Sequence, residues 1–185
     1  MIGRGTEALV FVINVVLGLY TAAVLLRFLL QWVRADFYNP ICQAIVKLTN
    51  PLLLPLRRVV PGWRGLDFAA VVLAIIMQII NVILVIALVG IALATPWIIW
   101  WIFLKLVFVL VNLYFFTILV EAILSWVSTG PRHPVASLLW SLNAPLLRPA
   151  RRLIPPIGGL DLSPLAVLVL LQVINILLPL PWPLR

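Results

Sequence analysis

The chain has 185 residues, of which 65% are hydrophobic and only 10% are charged, and its mean hydropathy is +1.24. Soluble globular domains carry roughly a quarter charged residues, so this composition excludes an ordinary soluble domain and favours an integral membrane protein. The formal net charge of +8 comes from basic clusters beside apolar runs, which indicates membrane orientation rather than nucleic-acid binding. The single cysteine, Cys42, excludes an internal disulfide.

The first apolar run extends from Ala8 to Val33. It exceeds the roughly 20 residues that cross a ~30 Å hydrocarbon core, and it is longer than the core of a signal peptide. Trp32 and Arg34 close it in the way that aromatic and basic residues mark a membrane interface. The run is therefore predicted to remain in the protein as a first transmembrane helix.

A basic, proline-rich connector follows, and Asn39-Pro40 is typical of a helix start. The next residues predict a short amphipathic helix that lies on the membrane surface or against the bundle. Pro51 and Pro55 are expected to stop this helix. The apolar side is formed by Ile41, Ala44, Ile45 and Leu48, and the polar side by Gln43, Lys47 and Asn50.

Three further spans are predicted along the chain, over Asp67–Leu93, Ile98–Val127 and Leu162–Leu178. Asp67 stands where an N-cap carboxylate would accept the free amides of a helix. A turn at Thr95-Pro96 separates the second span from the third. Tryptophans beyond it, with Lys105, indicate the opposite membrane interface. The last span is the shortest and is expected to need the following tail to complete it.

The two halves of the chain match each other without a gap at a fixed offset. PLLLPLRRVVPGWRGLD from Pro51 returns as PLLRPARRLIPPIGGLD from Pro145, and the second copy repeats the apolar face of the short helix with Val135, Leu138, Leu139 and Leu142. Pro145 and Pro149 are likewise expected to stop that helix. Two copies of one unit, apolar run, connector, apolar run, are therefore predicted at 8–93 and 96–182.

The predicted fold is all-α: a polytopic membrane protein with four transmembrane helices, built from two parallel repeats. Nine of the 13 lysines and arginines lie in the two connectors, namely Arg34, Lys47, Arg57, Arg58, Arg64, Arg132, Arg148, Arg151 and Arg152. The positive-inside rule therefore predicts that both connectors are cytoplasmic and that both termini are outside.

These residues resemble the YggT (YlmG) family of small integral membrane proteins of bacteria and plastids. The likeness covers nearly the whole chain and rests most on the string PxRR…P…GxDxSP, which begins at Pro149. The first copy departs from it, with Phe68-Ala69-Ala70 in place of Leu162-Ser163-Pro164. The resemblance implies a bacterial inner-membrane location and roles in osmotic stress tolerance or cation uptake, in cell division or membrane organisation, and in plastid relatives in cytochrome assembly.

Arg27 and Glu121 occupy equivalent positions of the two copies and carry opposite charges. Ionisable residues inside a span are costly and are usually paired or functional. We therefore predict that the two form an ion pair across the pseudo-twofold axis. The alternative is that each side chain independently reaches the headgroups.

Four connector arginines have two interpretations. They can act as topology determinants that contact anionic lipid headgroups, or they can pair with Asp67 and Asp161. The second interpretation folds each proline loop back against the next helix and creates a cytoplasmic docking surface. The four are Arg57, Arg58, Arg151 and Arg152.

Four amides repeat within the second and fourth spans, namely Gln78, Asn81, Gln172 and Asn175. They are expected to join helices by hydrogen bonds, and the alternative is that they line a permeation path between those spans. His133 is a lone histidine in a loop, and no catalytic set, phosphate-binding loop or metal cluster stands out.

A non-enzymatic protein without a cofactor is therefore predicted, an organising or assembly factor whose connectors meet lipid headgroups and partner proteins. The alternative is a small channel or transporter subunit in cation homeostasis. A second copy of the chain is a candidate partner, because four helices alone hardly enclose a pore.

Overall fold

The computed structural model describes residues 3–62, 65–90, 95–127, 134–154 and 161–185. They form six helices, and none of these described residues lies in a strand, so the predicted all-α class is confirmed for this part of the chain. The helices are α1 (Arg4–Trp32), α2 (Pro40–Arg57), α3 (Phe68–Val89), α4 (Thr95–Val127), α5 (Pro134–Leu153) and α6 (Ser163–Leu177).

Among the described residues, three segments are long and apolar enough to cross a membrane, Arg4–Trp32, Phe68–Val89 and Trp97–Ser125. Helix α6 is apolar but has only 15 residues. At 1.5 Å per residue it measures about 22 Å, less than the ~30 Å hydrocarbon core. Four crossings and the two repeat units, 8–93 and 96–182, therefore stay predictions.

The helices pack in two pairs. Helix α1 lies along α3 and α4 lies along α6, while α4 also contacts α1 and α3. The tail after α6 returns to this bundle, because Leu180 and Leu184 are buried with Val10 of α1 and Leu104 of α4. The Asn14 side-chain amide also donates to the carbonyl of Pro183 at 2.8 Å.

The predicted helix start at Asn39-Pro40 is confirmed, since the Asn39 carboxamide oxygen accepts from the amide of Ile41 at 3.0 Å. The nitrogen of the same side chain donates to the carbonyl of Pro134, the first residue of α5, at 2.7 Å. The connector helices α2 and α5 therefore begin at the same end of the bundle.

The expected helix stops at the connector prolines are wrong. Helix α2 continues through Pro51 and Pro55, and α5 through Pro145 and Pro149. Each proline removes one i→i−4 hydrogen bond, and the bond lost at Pro51 is the one to the carbonyl of Lys47. The helices continue because residues beyond the first proline, such as Leu53 and Leu147, are buried in the core, and tertiary packing can override local propensity.

The predicted apolar face is buried in α5 at Leu138, Leu139 and Leu142. In α2 the inward face differs from the prediction. Leu48 is 56% exposed and Ala44 is exposed, whereas Thr49 is buried together with Cys42 and Leu53. Thr49 faces inward on the same side of the helix as Cys42 and Leu53, and its hydroxyl accepts from Arg27 of α1.

The turn predicted at Thr95-Pro96 is also corrected, because these two residues begin α4. Proline suits the first turn of a helix, where its missing N–H would have no partner. Helix α3 ends at Gly90 in the left-handed conformation, with φ 70°, as glycine permits. The predicted end of the second span, Leu93, lies outside the described residues.

Candidate functional site

The first connector folds back on the start of α3 through Arg57 and Asp67. Arg57 donates from Nε to Asp67 Oδ2 at 3.0 Å and also from Nη2 to the same oxygen. Asp67 is only 3% exposed and makes no capping bond with its side chain. Its carboxylate therefore closes the proline loop instead of capping the helix.

The second connector closes in the same way. Arg151 Nε donates to Asp161 Oδ2 at 2.8 Å, while Asp161 Oδ1 accepts from the amide of Ser163, the first residue of α6, at 2.9 Å. Burial acts to raise the pKa of Asp161, but the hydrogen bonds from Arg151 and Ser163 outweigh it and hold that pKa below its ordinary value. This carboxylate both closes a loop and caps a helix.

The second of the two adjacent arginines in each connector is exposed. Arg58 and Arg152 face outward, and Val59 and Leu153 beside them are 78% and 82% exposed. Basic and apolar groups side by side are the features that surface-bound amphipathic segments use at lipid headgroups. We call Lys47, Arg58, Val59, Arg152 and Leu153 the connector surface. The predicted connector residues Arg64 and Arg132 lie outside the described residues.

The predicted ion pair between Arg27 and Glu121 is wrong, because each side chain binds the connector helix of its own half. Arg27 Nη1 donates to Thr49 Oγ1 at 2.7 Å and to Asn50 Oδ1 at 2.8 Å. Both partners belong to α2, so the buried charge of α1 is solvated by neutral acceptors close in the sequence.

Glu121 has the mirror-image arrangement with α5. Asn143 donates from Nδ2 to Glu121 Oε2 at 2.8 Å, and Arg151 approaches Glu121 Oε1 at 3.6 Å. Thr117 donates to the carboxamide oxygen of Asn143 at 2.8 Å, which fixes the orientation of that amide. Arg151 thus links the intramembrane carboxylate to the loop closed by Asp161.

Equivalent positions of the two halves have opposite hydrogen-bonding roles. Arg27 donates to a residue 22 positions later, and Glu121 accepts from a residue 22 positions later. A buried charge is stabilised once its own hydrogen bonds are satisfied, and these local partners remove the need for a pair across the bundle. This complementarity explains why the opposite charges of the two copies do not meet.

Three of the four predicted amides are buried and bind neighbouring helices. Gln78 donates to Thr21 Oγ1 at 3.0 Å and Asn81 to Ile13 O at 3.4 Å, while Asn175 donates to Asn112 Oδ1 at 3.2 Å. These partners lie on α1 and α4, in keeping with bonds between helices.

The alternative of a path between the second and fourth spans is not formed by these amides. Gln172 is exposed, and the amides of α3 and α6 turn toward α1 and α4 instead of toward a shared cavity.

Lys105 is the residue that sequence reasoning missed. It was predicted to mark the interface, but it is only 3% exposed. Its ammonium donates to Asn14 Oδ1 at 2.5 Å and to Asn81 Oδ1. The sequence signal that could have identified this contact is the presence of Asn14 and Asn81 in apolar runs, since such residues usually need a polar partner. Only the tertiary packing of α1, α3 and α4 brings the three together.

In the part of the chain that the structure describes, no group of three His, Cys, Asp or Glu residues could hold a metal ion. His133 lies outside that part.

The CCB3/YggT family profile matches residues 6–88 and 100–182. Among the relatives, a protein of Pseudomonas aeruginosa is 42% identical over 96% of this chain and 90% of its own length. YggT of Escherichia coli is 44% identical over 91% of this chain and 88% of its own length. A protein of Haemophilus influenzae is 31% identical over 88% of this chain and 87% of its own. No solved structure matches significantly. The chain belongs to the CCB3/YggT family.

Proposed function

We propose that this protein is a non-enzymatic organising or assembly factor of the bacterial inner membrane. In this proposal the chain crosses the bilayer four times, with the connectors in the cytoplasm and both termini outside. The start of α2 bonds to the start of α5, which supports placing both connectors on one side. The concentration of basic residues in the connectors supports the cytoplasmic side.

The observation that carries the proposal is the different use of the two arginines in each connector. Arg57 and Arg151 are held by Asp67 and Asp161, so each proline loop is fixed in place. Arg58 and Arg152 follow them directly and remain exposed. A fixed loop that presents an exposed cation beside an exposed apolar side chain is suited to contact with another surface.

Anionic headgroups and proteins are the partners that the connector surface would contact. A basic residue near an anionic membrane surface contributes about 1 kcal/mol, so lipid alone would hold this surface weakly. The exposed Val59 and Leu153 add apolar area for a protein or for a second copy of this chain. The proposed role contributes to osmotic stress tolerance or to cell division. The phenotype of a deletion strain tests this contribution.

Photo-crosslinking in cells tests the role of the connector surface. A photoreactive residue at Val59 or Leu153 should give discrete crosslinks to specific proteins, and Arg58→Ala with Arg152→Ala should reduce them. The matched controls are a photoreactive residue at Leu9, which is exposed on α1, and the exposed cation change Arg4→Ala. Equal crosslinking at Leu9 and Val59 would contradict the proposal.

The alternative role, a channel or transporter subunit in cation homeostasis, requires the repeated amides to line one path. Their partners and the exposed Gln172 favour assembly instead. Cation flux in proteoliposomes discriminates the two roles. We expect no cation flux through the unaltered protein. A cation flux that Gln78→Leu abolishes would instead establish the transport role.

A further inference from the structure

A groove of about 570 Å³ opens between α1, α4 and the C-terminal tail. Its volume lies within the range of about 300–1,000 Å³ that is usual for small-molecule sites. Asn14, Lys105 and Arg185 line one part of it, and Leu19, Leu113 and Phe116 line another. The groove therefore combines a cationic part with an apolar part, and it contains none of the residues of the connector surface.

The positive charge of Lys105 is not neutralised within the described part of the chain. The two groups that it binds are neutral carboxamide oxygens, of Asn14 and Asn81, and none of the ion pairs among the described residues involves it. An ammonium group has three donors, so one remains for a ligand. A buried charge of this kind is costly without a counter-ion.

The side chains that line the groove include two cations and one carboxylate. Arg185 lines the groove together with Lys105, and Glu7 is the one carboxylate side chain among the described lining residues. Arg185 donates to the backbone carbonyl of Asn175 at 2.6 Å, which is a neutral acceptor, so its guanidinium can also contact an anion. Charge complementarity therefore favours an anionic ligand group.

The arrangement along α4 fits an amphiphile. Lys105 lies ten residues after Thr95, about 15 Å along the axis, and helical side chains tilt toward the helix N-terminus. The cationic part of the groove therefore lies nearer the end of the bundle remote from the connectors than the apolar part does. Phe116 lies about 16 Å farther along the same helix, so the apolar lining continues toward the middle of the span.

We propose that this groove binds one anionic glycerophospholipid of the surrounding bilayer. Its phosphate contacts Lys105 and Arg185, and one acyl chain lies against Leu19, Leu113 and Phe116. Hydrogen bonds between a cation and a phosphate are stronger than neutral ones, which gives an anionic lipid preference over a zwitterionic lipid of the same chain length.

Native mass spectrometry of the purified full-length protein tests the site, with phosphatidylglycerol and phosphatidylcholine of matched chains as probes. One phosphatidylglycerol should be retained in preference to phosphatidylcholine. Lys105→Gln should weaken its retention about tenfold, equivalent to about 1.4 kcal/mol.

A second variant tests the groove without touching the charge. Gly18 lines the groove, and a Cβ there would meet no atom within 4 Å, so Gly18→Leu should fill the apolar part and also displace the lipid. Gly5→Leu is the matched control, because Gly5 has equally open surroundings and does not line the groove.

The outcomes separate a specific site from general lipid coating. Loss of the retained phosphatidylglycerol in Gly18→Leu, with retention in Gly5→Leu, supports the proposal even where Lys105→Gln folds poorly. Equal retention of both lipids by the unaltered protein, or undiminished phosphatidylglycerol binding in a folded Gly18→Leu protein, overturns it.

Discussion

For single residues, the buried charges Arg27 and Glu121 are solvated by groups that neighbouring helices bring to them. Arg27 depends on Thr49 and Asn50 of α2, and Glu121 depends on Asn143 and Arg151 of α5. The sequence showed that these two charges lie in apolar runs, but their equivalence and opposite sign suggested the wrong partner. Connector helices supply nearer partners, and a side-chain pattern does not reveal how a helix is rotated.

We expect Thr49→Val to lower the free energy of unfolding by about 1–3 kcal/mol, because it leaves part of the buried Arg27 guanidinium without an acceptor. The thermal unfolding midpoint in detergent micelles measures the change. Thr49→Ser keeps the acceptor and should be close to the unaltered protein. Equal losses in the two variants would contradict the contact.

A double-mutant cycle separates the observed contacts from the predicted ion pair. Arg27→Met combined with Glu121→Gln should give additive losses within about 0.5 kcal/mol, because the two side chains share no partner. Arg27→Met combined with Thr49→Val should be clearly non-additive, because those residues touch. A large coupling between Arg27 and Glu121 would restore the ion pair.

At the scale of elements, each connector is a proline-containing helix followed by a loop that one arginine–aspartate pair closes. The sequence indicated both helices and proposed the pairing of Asp67 and Asp161 with nearby arginines, and the structure places Arg57 and Arg151 in those contacts. The prolines misled the prediction of helix ends, because local propensity does not include tertiary packing, which buries Leu53 and Leu147 beyond the first proline of each helix.

The two closing aspartates should differ in their effect on stability. Asp67 is nearly buried whereas Asp161 is largely accessible, and an exposed ion pair contributes little because water screens it. Asp67→Asn should therefore lower the unfolding midpoint more than Asp161→Asn. A larger effect of Asp161→Asn would show that its capping bond outweighs the difference in burial.

The lowered pKa of Asp161 also predicts a pH dependence. A carboxylate whose folded pKa lies below its unfolded value contributes stability above the unfolded value, ordinarily 3.8. That contribution should disappear as the pH falls from about 3.8 through the lower folded pKa. The measurement is the unfolding midpoint between neutral and acidic pH. The part of its acid-induced decrease that comes from Asp161 should be absent in Asp161→Asn. An identical acid profile in the variant would contradict it.

For the molecule as a whole, the proposed function depends on how the chain is arranged in the bilayer. Helices α2 and α5 begin together at one end of the bundle, and the C-terminal tail packs near the opposite end of α1. This arrangement agrees with connectors on one side and the termini on the other. The measurement that tests this arrangement is the side of the membrane that each end of the bundle faces.

Cysteine labelling provides that measurement with little interference from the natural thiol. Cys42 is buried, and burial with the nearby Asp36 charge raises the pKa of its thiol, which lowers its reactivity. An impermeant thiol reagent should label Arg4→Cys in intact spheroplasts and Arg58→Cys only after the membrane is opened. Labelling of both from outside would overturn the topology.

Sequence alone was enough to predict the helical class, the apolar segments, the basic connectors and the family, because hydrophobic runs and local motifs are properties of short stretches of chain. Tertiary structure alone decided the partners of Arg27 and Glu121, the inward position of Lys105 and the groove beside it. Each of these depends on which helix lies beside which and on how each is rotated. In α2 that rotation places Thr49 inward, where it accepts from Arg27.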